Sequence, residues 1–210
     1  MTSRGLQLSL VVVAAVGLGF SFLQPIYPRD QVLQHIPTVI GLGVLAWLAY
    51  RGSLANRSMV ALFLLASLHI IGGRYVYTFV PYDAWLEAVF GFRLGESLEL
   101  ERNHYDRFVH LAFGALGVIP LHDVLRRKLS CGRLCRALIG IAVILSLSAL
   151  YEVVEWMISM MAPADQALRY NGQQGDPWDA QKDMALALLG SVLVSCALLG
   201  FRGRPRVSRT

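Results

Sequence analysis

Asp106 and His110 stand four residues apart in RNHYDRFVH, Arg102 to His110, so on a helix they stack one turn apart on one face. Asp179 and Asp183 repeat that spacing in GDPWDAQKD, and Glu152 and Glu155 are three apart in LYEVVEW. A fourth polar break, HIIGGRYVYT, carries Arg74. Carboxylates beside an imidazole can transfer protons, ligate a divalent metal or bind a cationic ligand. The candidate catalytic residues are therefore Asp106, His110, Glu152, Glu155, Asp179 and Asp183, with Arg74, Arg107, Lys182 and Asp176 as candidate binding residues. His104, His110 and Asp106 are the candidate ligands of a divalent metal, of the zinc, manganese or iron type. No signature as specific as HExxH accompanies them.

These residues sit in apolar surroundings. The 210-residue chain is 55% hydrophobic and only 16% charged, with mean hydropathy +0.51, whereas a soluble domain is roughly 25% charged. The pattern predicts an all-α polytopic membrane bundle of about six transmembrane helices in one domain, residues 1–210. The spans fall near 6–23, 35–50, 58–79, 105–121, 137–160 and 179–201. The first reads as a retained span, because Arg4 alone precedes it and no A-x-A-like cleavage site follows. The second is short, which implies a thinned or tilted crossing. Residues 81–104 read as an outer loop carrying an interfacial helix. No internal repeat is visible.

Charge sets the expected orientation. Arg4, Arg51, Arg57, Arg126, Arg127 and Lys128 gather on one side, joined by Arg133, Arg136 and the arginines of the tail RGRPRVSRT, with Asp123 the sole acid there. The positive-inside rule makes that side, and both termini, cytosolic. The net charge of +5 then needs no nucleic acid as partner, since a basic skirt beside anionic lipid accounts for it. Cys131, Cys135 and Cys196 lie toward that side and read as reduced thiols.

Depth brings the polar stretches together. At about 1.5 Å per residue, Glu152 lies roughly 22 Å from Ala137 and Arg74 about 24 Å from Ser58. Both therefore reach the outer third of the bilayer, where the fourth and sixth spans begin. Six acids there face three fixed cations, and the surplus negative charge calls for proton uptake, a metal or a cationic ligand. The blander reading is a network of ion pairs, Arg74 with Glu152 and Arg107 with Asp179, that only holds helices in register. His69 reads as an interhelical hydrogen-bond donor. Gly72 and Gly73 read as a close helix approach or a local break.

RNHYDRFVH, followed by YEVVEW and GDPWDAQKDM, resembles the YjdF-type inner membrane proteins from about the third span to the sixth. That resemblance implies a multi-pass protein of the bacterial inner (cytoplasmic) membrane. More remotely, D-x3-H, E-x2-E/Q and D-x3-D/N in that order are similar to VanZ-like membrane proteins, associated with glycopeptide-antibiotic tolerance. On that pattern Asp106, His110, Glu152, Glu155, Asp179 and Asp183 are the matching positions, and an envelope role is implied. One function class is an outward-facing enzyme, a hydrolase or transferase on a lipid-linked substrate, with Glu152 or Asp183 as base and Arg74 and Arg107 holding an anionic head group. The other is a small-solute or proton-coupled transporter or binding protein whose acids alternate protonation. The lack of repeats speaks against transport, and Ser97 and Ser159 lack a triad-like setting. A structural envelope protein is the third possibility.

Overall fold

The chain forms nine helices among the described residues, which are 3–170 and 172–200 of the computed structural model. They are α1 (Arg4–Ser21), α2 (Pro28–Arg51), α3 (Asn56–Arg74), α4 (Tyr82–Phe90), α5 (Leu94–Ser97), α6 (Tyr105–Lys128), α7 (Arg133–Met161), α8 (Ala164–Tyr170) and α9 (Asp179–Gly200). Asn171, Phe201 at the end of the sixth expected span and the tail arginines lie outside the described residues. Six helices, α1, α2, α3, α6, α7 and α9, are long and apolar enough to cross a membrane.

The second span differs from expectation. α2 starts at Pro28, a residue preorganised for a first helical turn, so it is of full length and requires no thinned crossing. Hydropathy stops short because Asp30, Gln31, Gln34 and His35 are polar, yet all four are buried. Their partners come from the protein. Gln31 Nε2 donates to the Ser21 carbonyl at 2.7 Å, His35 Nε2 lies 3.0 Å from Ser21 Oγ, and Arg169 Nε donates to Asp30 at 2.9 Å.

The third span also differs, ending at Arg74 and not at 79. Val76 and Tyr77 adopt φ of 49° and 51°, left-handed values that stop the helix. The turn folds Tyr77 back over Gly72, where a Cβ would sit 2.6 Å from the phenol ring, while His35 covers Gly73 equally closely. His69 hydrogen-bonds the Tyr77 hydroxyl in the turn after its own helix, and it also meets the Gln34 backbone of α2, the interhelical contact expected of it.

α6 is the centre of the bundle, packed on α9, α3 and α7, with α1 and α2 on the far flank of α3. Its contact with α9 is the closest. A methyl group on Gly114 would land on the Ala187 carbonyl oxygen, and one on Gly190 on that of Leu111. Small residues permit such backbone approach between spans. At the opposite end of α6, buried Asp123 is held by Arg57 and by Ser58 Oγ at 2.7 Å, tying α6 to α3.

Candidate functional site

The α6–α9 crossing sets the ladder above it. His110 lies four residues from Gly114 and Asp183 four from Ala187; Asp106 and Asp179 lie four residues beyond those. Because the two helices run in the same direction, equal steps of about 5.4 Å per turn bring these residues level. One ligand atom each from Asp106, His110 and Asp183 lie within 4.8 Å of one another. α7 adds Glu152, whose Oε1 is 3.5 Å from His110 Nε2, while Asp106 Oδ1 is 3.7 Å from the same nitrogen. Glu152 Oε1 and Asp183 Oδ1 are buried with no hydrogen-bond partner among the described residues. Leaving polar oxygens so in a low-dielectric setting costs at least a few kcal/mol, so these two are held ready for a proton or a cation. Glu155 is buried on the next turn of α7 and interacts with Tyr77, Tyr151 and Tyr170. It is not among the three grouped ligand residues.

A second layer, at the start of α9, is neutralised. Arg102 grips Asp179 through both oxygens, at 2.5 and 3.2 Å, and donates to the carbonyls of Gly172 and Gln173 at 3.0 Å each. Arg107 bonds Asp176 and reaches Asp179 at 3.3 Å, and Lys182 Nζ lies 2.5 Å from Asp176. The hydrogen bond from Lys182 is the chief reason that the Asp176 carboxyl is lowered to about 2. A depressed carboxylate adds stability above its unfolded value of about 3.9, and this is lost only as pH falls through about 2. Asp176 is therefore a carboxylate at neutral pH. The surplus charge expected from sequence is therefore confined to the inner group of Asp106, Glu152, Glu155 and Asp183.

Two expected site residues lie elsewhere. Arg74 forms no pair with Glu152: its Nη1 donates to the Ser21 and Leu23 carbonyls at 2.6 and 2.8 Å. It ends α3 beside the end of α1, where carbonyls left without helical partners attract a cation. His104 precedes α6 and belongs to the cation layer, with its Nδ1 3.5 Å from Arg107. Burial, then the Arg107 and Arg102 charges, hold it below the ordinary imidazole value. In the grouping of candidate metal ligands Asp183 stands where His104 was expected.

Sequence reasoning missed Arg102, although it opens the RNHYDRFVH run; hydropathy gives no reason for a loop arginine to turn inward. It also missed Gly172, whose φ of 61° and approach to Asp106, 3.2 Å from where a Cβ would sit, make the loop before α9 a roof over the cluster. Arg102→Ala leaves Asp179 buried against Arg107 alone. The expected loss is about 3–5 kcal/mol, the scale for breaking a buried pair, and Asp179→Asn in the same chain is expected to restore part of it. Thermal unfolding in detergent reads both.

A family model described as "Predicted membrane protein (DUF2238)" matches residues 6–204. The chain belongs to this family. It is also 33% identical over 174 residues to "Inner membrane protein YjdF" of Escherichia coli (strain K12), covering 82% of this chain and 79% of that protein. No solved structure matches the chain. The resemblance to YjdF-type proteins thus holds over most of the length, and that to VanZ-like proteins is not shown. With six apolar helices and such a relative, the family member described here is a multi-pass inner-membrane protein.

Proposed function

We propose that Asp106, His110 and Asp183 hold one divalent cation, and that the protein is a membrane-embedded enzyme using it for hydrolysis or group transfer. The observation that carries this reading is the meeting of three ligand atoms within 4.8 Å on two helices locked at backbone distance. One imidazole and two carboxylates suit zinc, manganese or iron(II). Holding a cation at bonds of about 2.0–2.2 Å would draw the three groups toward one another. Three protein ligands leave a further position open, as catalytic sites do. Such a cation would supply Lewis acidity.

Glu152 is then the proton carrier. Its unpartnered Oε1 would take a proton from an attacking water, and the same proton would go to the leaving group as its bond breaks. In place of the Arg74 and Arg107 pair expected from sequence, Arg102 and Arg107 border the cluster; their terminal nitrogens are held by Asp179 and Asp176, so it is their Nε atoms, buried without a partner among the described residues, that would meet an anionic head group.

The test is elemental analysis of the purified protein. About one equivalent of zinc, manganese or iron is expected, lost in His110→Ala because removal of a ligand undoes most of the affinity. Absence of all three metals from the parent protein would reject the reading. It would return the unpartnered acids to proton carriage, the transporter alternative.

A further inference from the structure

A cavity of about 710 Å³ lies between α2, α3, α6 and α7 and reaches the cluster. Its size is within the roughly 300–1,000 Å³ of small-molecule sites. Polarity is confined to one end, where Thr38, His69, Tyr77, Asp106, His110 and Tyr151 form the wall; Leu45, Leu48, Leu62 and Leu65 form the other end. Along α2 the wall from Thr38 to Leu48 spans about 15 Å. One wall atom, Ser148 Oγ, is buried with no hydrogen-bond partner among the described residues. A leucine-lined end gives water no partners, so the shape suits a molecule with a polar head and a hydrocarbon tail.

The way in is lateral. Val44 on α2 and Leu147 on α7 both line the cavity, yet are 50% and 47% exposed. On membrane-spanning helices that exposure faces hydrocarbon, so the mouth between them opens to the bilayer core. A chain that slides from lipid into this cavity exchanges one apolar setting for another and gains little hydrophobic energy. Selectivity must then come from contacts at the polar end.

We infer that the substrate is a membrane lipid, which enters between α2 and α7, lays its hydrocarbon chain along the leucine end and presents its head group to Asp106 and His110. Its standing as substrate rests on the cluster being the reactive centre proposed above. Occupancy of the cavity by a lipid is a separate observable.

Two glycines provide the test. Gly41 lines the cavity, and a Cβ there meets nothing within 4 Å, so Gly41→Phe starts a side chain into open space on the cavity wall. Gly43 is equally open but lies exposed on the outer face of α2, which makes Gly43→Phe the control. Each protein is placed in lipid nanodiscs containing phosphatidylglycerol with a diazirine at its chain end, and cross-links are mapped by mass spectrometry. In the parent, labelling of Leu45, Leu62 and Leu65 is expected to exceed that of lipid-facing Ile40. Gly41→Phe lowers it about tenfold, equivalent to about 1.4 kcal/mol of binding, and Gly43→Phe leaves it unchanged. Inner-wall labelling no stronger than that of Ile40, or indifferent to Gly41→Phe, overturns the inference. Metal content of the same preparations reports on the cluster independently. Metal without inner-wall labelling defeats only the lipid, and labelling without metal defeats only the metal reading.

Discussion

Glu152→Gln is expected to keep its metal and to turn over lipid about 10²–10⁴-fold more slowly, the range for loss of a general base. Glutamine preserves the shape and removes the ability to take a proton. Glu152 lies beside the three grouped residues without being one of them, so metal content separates the roles: Asp106→Asn loses metal and turnover together. Folding moves the other way. Glu152 Oε1 has no hydrogen-bond partner among the described residues, and neutralising such a group relieves a buried charge, so the melting temperature stays level or rises. Cys131→Ser, in the loop between α6 and α7 at the far end of both helices, changes none of the three quantities. Head-group release from liposomes, followed by mass spectrometry beside elemental analysis, is the measurement. Unchanged turnover in Glu152→Gln would mean that the acids only hold the helices in register.

Gly114→Leu is expected to cause the largest structural loss. Overpacking costs about 1–3 kcal/mol where side chains can move aside. At Gly114 the obstacles are the Ala187 carbonyl and the Ser191 amide nitrogen, both backbone, so the cost lies at or beyond that upper limit. The helix-propensity gain of replacing glycine, about 1 kcal/mol, does not offset it. The ladder above the crossing then loses its level pairing, and bound metal is expected to fall although no ligand has changed. Gly17→Leu, where a Cβ meets open space, is the matched control. An unaltered melting temperature and metal content in Gly114→Leu would separate the helix contact from the geometry of the cluster.

The parts legible in the sequence depend on single helices. Stacking of Asp106 with His110, and of Asp179 with Asp183, follows from helical period alone, and the six apolar helices follow from hydropathy. The illegible parts depend on pairs of helices. Gly114 and Gly190 look like ordinary span glycines until α6 and α9 meet. The first turns of α2 read as loop because Asp30 and Gln31 are polar, and only Arg169 and Ser21 make their burial tolerable. Arg74 was assigned by depth to the right level, but depth says nothing about azimuth, and it faces α1. Arg102 failed for the reverse reason, since it lies outside any span and enters through a loop.

The parallel pairing of α6 with α9 also bears on how the chain is born. α7 and α8 separate the two in sequence, so a nascent chain that has released α6 into the bilayer carries Asp106 and His110 with no α9 beside them. The polar ladder is completed only when the last spanning helix arrives. Until α9 arrives, the acids of α6 must shelter in the translocon or draw water.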